Sequence, residues 1–328
     1  MTEHAAPTVS FLVRCHNYGR YLGDCLRSIF AQRGGFTFEV IAVDDASTDD
    51  TADVLRAFAS PELRVVTHAV NEGHIAALND AFVHARGEFI ARIDADDRYR
   101  PSFLEATLPA FARSSTVGLV YGEAALMNAS GTITHEPTPA GDADVCRSEW
   151  LRILAENFIC APTAIARRDA WRDAMPIPPR AAVDDWYINV MIARRWDFCR
   201  VPQVVADYRV HPQNHHVANL VRRGEEPSVL WLLDTIFAEE EHDPERARRK
   251  RQARRHTYAR HYLTLGRKYF GASMDADARR CLLRAIRHCP SYVARPDVLR
   301  WLAAACIGRR AYDAGKAAVK AAAPARLQ

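Results

Sequence analysis

Residues 89–101 read FIARIDADDRYRP, an apolar run that ends in three aspartates. The stretch 38–51, FEVIAVDDASTDDT, has the same arrangement, with a short apolar run that ends at Asp44 and Asp45. A continuous apolar run of this length that stops at turn residues is typical of a buried strand. Both stretches therefore predict strands whose carboxyl ends carry acidic side chains.

Strand and helix patterns alternate around these two stretches. Val9–Arg14 is another apolar run, and apolar residues recur at helical spacing between it and residue 38. Arg64–His68 predicts a further strand and Gly73–Ala85 a further helix. Such alternation predicts a mostly parallel, Rossmann-like sheet flanked by helices. The predicted fold class is therefore α/β, followed by an α-helical C-terminal extension.

Charge divides the chain into two parts. Residues 1–241 contain 23 Lys and Arg against 34 Asp and Glu, whereas residues 242–328 contain 21 against 6. The run EEEHDP at 239–244, which is acidic and favours a turn, lies at the change of sign. We therefore expect one domain over 1–241 and a basic helical region over 242–328.

Composition predicts the compartment and the state of the cysteines. No stretch approaches the roughly 18 apolar residues of a membrane-spanning helix, and the first ten residues, MTEHAAPTVS, do not resemble a secretory leader. We therefore expect a cytoplasmic protein. The 8 cysteines include no C-x-x-C pair, which predicts reduced, mostly buried thiols rather than a zinc site or disulfides.

The acidic clusters suggest a ligand site. In open α/β sheets, ligands bind at the carboxyl ends of the strands, so the Asp44 and Asp94 clusters are expected to face one cleft. Carboxylates gathered there repel one another unless a cation joins them. Aspartates spaced as in IDADD suit Mg²⁺ or Mn²⁺, which would neutralise a diphosphate. The alternative is structural, because aspartates are also common in turns and at helix N-caps.

Five blocks of the sequence resemble, in the same order, the signature blocks of family 2 inverting glycosyltransferases, which have the GT-A fold. These blocks are Val9–Gln32, Glu39–Thr51, Val70–Gly87, Phe89–Pro101 and Val183–Ile188. The resemblance implies transfer of a sugar from a nucleotide-sugar, expected to be a UDP- or dTDP-sugar, to a hydroxyl of a glycan or lipid-linked precursor. It also implies a nucleotide-sugar-binding half over about 1–125 and an acceptor-binding half over about 126–241.

The resemblance assigns the donor nucleotide to residues at the ends of the first strands. It implies that Asp45, with Asp44 beside it, contacts the base and that Asp94 lies on the ribose side. The remaining residues assigned to the donor are Arg14, His16, Asn17, Asn71 and Gly73. The chain departs from the family where Arg14 and His16 stand in place of the usual proline and tyrosine, and where Leu78 replaces a frequent arginine.

The same resemblance assigns further residues to the metal ion and to the catalytic base. The resemblance implies that Asp96 binds Mn²⁺ or Mg²⁺ with Asp97 and His211 nearby. In VDDWYI, at 183–188, it implies that Asp185 is the catalytic base and that Asp184 and Trp186 form part of the acceptor or sugar pocket. The structural alternatives are a helix N-cap followed by a core tryptophan, and a solvated loop histidine.

Two other classes of function are considered. A Rossmann oxidoreductase requires a G-x-G-x-x-G loop after the first strand, where this chain reads RCHNYG at 14–19. A Mg²⁺-binding signalling module that accepts a phosphoryl group would leave the blocks VDDW and YRVH without a role.

The basic C-terminal region has several possible partners. Nucleic acid, an anionic membrane surface and the acidic domain itself all attract such charge, and a solvated helical face is the simplest reading. No base-recognition motif is visible, so we expect no nucleic acid. We favour peripheral contact with the inner face of the cell membrane.

Overall fold

The structure, a computed structural model, describes residues 6–139, 145–212, 214 and 219–322. The chain folds into two compact units. The first comprises Met1–Ile153 and Asn157–Asn214, and the second comprises Leu154–Glu156 and His215–Gln328. The domain boundary that charge predicts, at residue 241, falls inside the second unit.

Ten strands form one sheet in the first unit, in the order β3-β2-β1-β4-β9-β6-β10-β5, with β7 beside β6 and β8 beside β10. Their bounds are β1 Val9–Cys15, β2 Phe38–Asp44, β3 Leu63–Thr67, β4 Phe89–Asp94, β5 Arg98–Tyr99, β6 Val117–Met127, β7 Ile133–His135, β8 Cys146–Arg147, β9 Ala164–Arg167 and β10 Asp197–Arg209.

The α/β fold class with a helical C-terminal extension is confirmed, but the sheet is mixed rather than mostly parallel. Strands β3, β2, β1 and β4 are mutually parallel, as the alternating pattern predicts. The four-residue strand β9 then enters in the opposite direction and pairs antiparallel with both β4 and β6. Beyond it, β6 and β10 pair in parallel. The parallel order therefore holds for the half that carries the first acidic clusters.

Among the described residues, seven α-helices connect the strands of the first unit, together with the 3₁₀-helices Leu108–Arg113 and Ala161–Thr163. The α-helices are α1 Gly19–Phe30, α2 Thr51–Ala57, α3 His74–His84, α4 Phe103–Thr107, α5 Trp150–Ala155, α6 Arg168–Arg172 and α7 Asp184–Ala193. Helix α1 buries one face, including Leu22, Cys25 and Ile29, in a core cluster that also contains Phe11 of β1. Burial of such side chains stabilises the fold by roughly 1.5–3 kcal/mol each and fixes the loop between β1 and α1.

The described elements of the second unit are all helical. The α-helices are α8 Glu225–Ala238, α9 Pro244–Gly271, α10 Asp275–His288, α11 Pro296–Ile307 and α12 Arg309–Ala322, and a 3₁₀-helix covers Pro290–Ala294. Helix α9 begins at a proline after Asp243, whose side chain accepts a hydrogen bond from the Arg246 amide at 2.7 Å. A Cβ atom on Gly266 would lie 2.8 Å from Leu282 Cγ, so glycine permits the close packing of α9 against α10.

The prediction of reduced thiols is wrong for one cysteine pair. Cys146 and Cys199 form a disulfide because the antiparallel pairing of β8 with β10 places them opposite each other, with Cα atoms 4.1 Å apart. The two residues are far apart in sequence and belong to no C-x-x-C motif, so spacing gave no sign of the pair. Among the described residues, no helix is long and apolar enough to cross a membrane.

Candidate active site

The register of the parallel strands collects acidic side chains at one edge of the sheet. Cys15, the last residue of β1, is paired with Asp44 of β2. The residue before it, Arg14, is paired with Asp94 of β4 on the other side. The end of β1 is therefore flanked by the acidic ends of both neighbouring strands.

Two arginines compensate for the acidic charge at this edge. Arg14 Nε lies 2.6 Å from Asp94 Oδ1, and its Nη1 lies 2.8 Å from Oδ2 of Asp184, the first residue of α7. Arg92 of β4 also donates to Asp184. Burial alone would raise the pKa of Asp184, but the charges of Arg14 and Arg92 outweigh it and hold that pKa well below its ordinary value. The cluster ties β1 and β4 to the start of α7.

Asp185, the next residue, has the opposite electrostatic environment. It is half-buried, and its Oδ2 accepts a hydrogen bond from Asn157 Nδ2 at 3.0 Å. Burial raises the pKa of Asp185, Arg92 opposes this rise, and the negative charge of Asp184 adds to it. Asp185 therefore combines partial solvent exposure with an increased affinity for protons.

Trp186 lies in the core. Its side chain is only 2% exposed, and its indole N–H donates to the Ile153 carbonyl at 2.6 Å. This position matches the structural alternative of a core anchor behind the two aspartates. The open side of this region is a small cavity bordered by Asp185, Arg92 and mostly apolar side chains, among them Trp171 and Ile188.

The loops after β1 and β2 are held together by their own polar groups. His16 Nδ1 lies 2.7 Å from the Asp45 carbonyl oxygen, and the Asn17 side-chain oxygen accepts from the Thr48 amide at 2.8 Å. Asn17 has a φ of 58°, in the left-handed region that asparagine tolerates better than most residues. Asp44 Oδ1 accepts from the Ser47 amide at 3.0 Å and closes the second loop. The structure thus brings together the residues assigned to the base.

Asp45 binds the segment that precedes α3. Its Oδ1 accepts from the Glu72 amide at 2.7 Å and its Oδ2 from the Gly73 amide at 2.8 Å. Gly73 has a φ of 91°, which favours glycine, and Asn71 beside it is exposed. Burial opposes ionisation of Asp45, but hydrogen bonds from His68 and these two amides outweigh it and lower the pKa. Asp45 therefore places Asn71 and Gly73 at the end of β2.

Asp96 and His211 meet after β4 and β10. His211 Nε2 lies 2.9 Å from Asp96 Oδ2, and Asn214 Nδ2 donates to the same oxygen at 3.2 Å. Burial and the nearby charge of Asp94 raise the pKa of Asp96, although the hydrogen bond to His211 opposes them. His211 is also packed against Tyr21, with ring centroids 5.2 Å apart. The structure therefore brings together two of the residues that the resemblance assigns to the metal.

Asp97 points to the backbone rather than to His211. Its Oδ1 accepts from the Arg209 amide at 2.8 Å, and the residue is 1% exposed. Burial, followed by the charges of Asp96 and Asp94, raises its pKa well above the ordinary value. Arg209 in turn donates from Nε to the Asp96 carbonyl at 2.6 Å, which holds the turn after β4 against β10.

The donor set at Asp96 is suited to a shared metal site. In residues 6–139, 145–212, 214 and 219–322, no group of three or more His, Cys, Asp or Glu side chains is arranged to hold an ion alone. Asp96 and His211 offer one carboxylate oxygen and one imidazole nitrogen. Mg²⁺ and Mn²⁺ accept such ligands and commonly take their remaining ligands from substrate phosphates and water. These two residues therefore fit an ion that is bound together with a diphosphate.

Three residues that position the aspartates of the site were not predicted from the sequence. Arg92 lies within an apolar run, and an arginine inside a buried strand is itself a sign of a buried acidic partner. His68 immediately follows β3, next to the acidic strand ends. Arg209 lies in the YRVH block at 208–211, in which the resemblance assigns a role only to the histidine. Each of the three is buried and contacts an aspartate or its backbone.

The sheet with its acidic edge is similar to that of GT-A glycosyltransferases, and the comparison with known proteins finds glycosyltransferases. Residues 10–137 match the profile of Glycosyl transferase family 2. An uncharacterised glycosyltransferase of Nostoc sp. is 28% identical over 220 residues, which cover 64% of this chain and 67% of that protein. Three mycobacterial relatives are matched over 57% of their length.

Solved structures share the fold. Staphylococcus aureus TarS (residues 1–349), in complex with UDP-GlcNAc, superposes with a TM-score of 0.66 at 20% identity, covering 87% of this chain and 82% of that chain. The mannosyltransferase PcManGT of Pyrobaculum calidifontis, in complex with GDP-Man and Mn²⁺, superposes with a TM-score of 0.60 at 19% identity, covering 94% and 85%. The first unit therefore contains, over residues 10–137, a domain that matches glycosyl transferase family 2.

The charge balance at the sheet edge leads to a stability prediction. We expect Arg14→Met to lower the free energy of unfolding by about 3–5 kcal/mol, because it leaves Arg92 to compensate for two carboxylates. The double variant Arg14→Met, Asp184→Asn should recover part of this loss, since one charge of each sign then remains. Urea denaturation at pH 7 measures both.

A matched control is available on the surface. Arg56 pairs with Asp53 within α2, and both side chains are more than 70% exposed, so Arg56→Met should cost less than about 1 kcal/mol. If the double variant is no more stable than Arg14→Met, the cluster is not balanced by charge as described.

Proposed function

We propose that this chain transfers a sugar, with inversion, from a nucleoside-diphosphate donor to a hydroxyl of a glycan or lipid-linked acceptor. The observation that carries the proposal is the environment of Asp185, a half-buried carboxylate with a raised pKa beside the fully paired Asp184. We assign donor binding to residues up to about 125 and acceptor binding to those that follow in the first unit.

The donor is proposed to lie along the edge formed by β1, β2 and β4. The solved relatives with this fold are complexes with UDP-GlcNAc and with GDP-Man, so the fold accommodates more than one base. We propose a UDP- or dTDP-sugar, with the base near Asp45 and the ribose near Asp94, whose side chain is 34% exposed. The other donor residues in this proposal are Arg14, His16, Asn17, Asp44, Asn71 and Gly73.

A divalent ion is proposed to neutralise the diphosphate. Asp96 and His211 would hold Mn²⁺ or Mg²⁺, and the ion would supply positive charge as the leaving group becomes more negative. The complex of PcManGT with Mn²⁺ supports this choice of cofactor. The protein's own part is to keep the Asp96 carboxylate in place, through the Arg209 contact to its backbone and the Asn214 contact to its side chain.

Asp185 is proposed to accept the proton of the acceptor hydroxyl. A hydroxyl with a pKa near 15.7 cannot be deprotonated in advance by a carboxylate of pKa near 4, because the transfer would cost on the order of 16 kcal/mol. The proton must move while the new bond between the hydroxyl oxygen and the anomeric carbon forms and the bond to the diphosphate breaks, with its electron pair leaving on the diphosphate. A raised pKa makes Asp185 a better proton acceptor at that stage.

The role of Asp185 can be separated from donor binding. We expect Asp185→Asn to reduce kcat by about 10²–10⁴-fold, because the amide cannot accept the proton. Affinity for UDP or GDP, measured by isothermal titration calorimetry, should be nearly unchanged. Asp53→Asn, on the exposed face of α2, serves as the control and should retain full activity. Transfer at the normal rate by Asp185→Asn would remove this mechanism.

The cation site can be tested by binding alone. We expect Asp96→Ala to weaken binding of UDP or GDP at least about tenfold, because the diphosphate loses its counter-charge. An excess of EDTA should have the same effect on the unaltered chain, and added Mn²⁺ should reverse it. Calorimetry with and without chelator gives the answer. Equal affinity under both conditions would mean that these residues hold no ion with the nucleotide.

The basic charge of the second unit is proposed to hold the enzyme at an anionic membrane surface, where lipid-linked acceptors would be found. Exposed arginines stand along α9, among them Arg249, Arg251 and Arg255. Basic side chains near an anionic bilayer contribute about 1 kcal/mol each. A solvated helical face, without any membrane contact, remains the simpler alternative.

Vesicle sedimentation distinguishes these two readings. We expect the chain to sediment with phosphatidylglycerol vesicles at low salt but not with phosphatidylcholine vesicles. The triple change of Arg249, Arg251 and Arg255 to Gln should weaken binding by about 100-fold, corresponding to three lost charges. Substitution is preferable to truncation at residue 241, which would cut the second unit. Sedimentation that is unaffected by the triple change would contradict the proposal.

A further inference from the structure

His68 lies between two carboxylates at the edge of the candidate donor site. It follows β3 directly, and its side chain is 5% exposed. Its Nδ1 lies 2.8 Å from Asp45 Oδ1, and its Nε2 lies 2.9 Å from Asp80 Oδ2 on α3. The imidazole therefore links the end of β2 to the middle of α3. None of the roles proposed above uses it.

Hydrogen-bond chemistry determines the charge of this ring. An ionised carboxylate can only accept hydrogen bonds, and a neutral imidazole has one nitrogen that donates and one that accepts. With a carboxylate oxygen at each nitrogen, both nitrogens must carry a proton for both contacts to be favourable. The side chain of Asp80 is half exposed, so water solvates its charge and the contact does not require a neutral acid. The geometry thus calls for an imidazolium.

The electrostatics of the pocket agree with this charge. Burial alone would lower the pKa of His68, but hydrogen bonds to Asp45 and Asp80 outweigh burial and raise it. The acidic groups that face the ring come from three elements: Asp45 after β2, Asp80 on α3, and Glu72 in the segment before α3. All three favour the protonated form.

The protonated ring of His68 contacts the Asp45 carboxylate, which also accepts hydrogen bonds from the segment before α3. Asp45 Oδ1 accepts from His68 and from the Glu72 amide, while its Oδ2 accepts from the Gly73 amide. These amides belong to the Asn71–Gly73 segment, to which nucleotide binding is assigned above. The next residue, His74, begins α3, and its carbonyl lies 3.4 Å from Arg14 Nη1. If His68 lost its charge, one ring nitrogen would become an acceptor and would face the carboxylate oxygen of Asp45 or Asp80. The contact between the ring and that carboxylate would then be unfavourable.

We propose that His68, as an imidazolium, is a positioning residue that fixes the Asn71–Gly73 segment for nucleoside diphosphate binding, so that neutralisation of the ring weakens this binding. The inference rests on the proposed function for the identity of the ligand. The link between the ring and the segment stands independently of it, because it follows from contacts within the protein.

The direction of the pH dependence follows from the raised pKa. A histidine that is more basic in the folded protein contributes its full stabilisation below the ordinary pKa near 6.5. This stabilisation is lost as the pH rises through the folded value. The segment should therefore be well held in mildly acidic solution and should loosen above pH 6.5. An ordinary surface histidine would complete its titration earlier and would not affect the segment.

The test combines nuclear magnetic resonance with binding. The ring of His68, identified by comparison with His68→Gln in a histidine-labelled sample, is titrated from pH 5.5 to 9 in the full chain. The amide signals of Glu72 and Gly73 are followed in a second labelled sample. We expect the ring midpoint to lie above 6.5 and the two amide signals to shift with the same midpoint. Affinities for UDP, dTDP and GDP, measured by calorimetry over the same range, should fall as the ring loses its proton.

Variants separate positioning from general destabilisation. Asp80→Asn removes one partner at a half-exposed site, so it should lower the ring midpoint and move the affinity curve to lower pH. His68→Gln should bind about tenfold more weakly at pH 6, as expected for the loss of one charge-assisted hydrogen bond, and should lose the pH dependence. Asp53→Asn removes an equivalent charge from α2 and should change neither curve. Circular dichroism checks that each variant is folded.

The outcomes are distinguishable. A His68 midpoint below 6.5, or one that is unmoved in Asp80→Asn, would overturn the proposal whether or not a nucleotide binds. Affinity that is constant with pH while the ring titrates would also overturn it and would leave the proposed function intact. If none of UDP, dTDP and GDP binds at any pH, the proposed function fails, and a coincident shift of the ring and amide signals still supports the positioning role.

Discussion

The first unit depends on one constraint, which is that several carboxylates gathered at the end of a parallel sheet must be compensated within the protein. A buried charge without a partner costs several kcal/mol. Arg14 and Arg92 supply the compensation for Asp94 and Asp184, and His68 supplies it for Asp45. The cations that allow the acidic edge to fold also join β1, β3 and β4 to the helices that complete the site.

This compensation is unevenly distributed, and the unevenness has chemical consequences. Asp184 receives two guanidinium groups and has a lowered pKa. The adjacent Asp185 accepts from the Asn157 side chain and from the Trp186 amide, and burial raises its pKa. Neighbouring carboxylates whose pKa values are driven apart are a recurrent feature of acid and base catalysis. The position of Asp184 suggests that its main contribution is to orient the arginines.

The sequence was sufficient to predict the parts of the fold that rest on local patterns. The strand predicted in the stretch 38–51 is observed at Phe38–Asp44, because a short apolar run that stops at turn residues is typical of a buried strand. By contrast, β9 has four residues and no periodic signal, and it converts a parallel sheet into a mixed one. Pairings between distant residues, such as Cys146 with Cys199, depend on tertiary contacts that spacing does not contain.

The same division applies to the candidate site. The acidic residues at the strand ends could be predicted because they are neighbours in the sequence and directly follow apolar runs. The partners of these aspartates were not identifiable in the same way. The sequence around Arg92 and His68 indicates at most that a carboxylate lies nearby, and which carboxylate each one contacts depends on the helix that supplies it. Trp186 shows the opposite effect, because a conspicuous residue beside two aspartates turns out to be 2% exposed in the core. Burial and partner identity are therefore what the structure adds.

The central claim is that the carboxyl edge of β1, β2 and β4 binds a nucleoside diphosphate with a divalent ion, across from Asp185. The most direct measurement is anomalous diffraction from a crystal of the chain grown with UDP or GDP and Mn²⁺. The account predicts an anomalous peak next to Asp96, nucleotide density that extends from it towards Asp45, and an open approach to Asp185. A nucleotide and ion bound elsewhere on the protein, with Asp96 still hydrogen-bonded to His211, would contradict it.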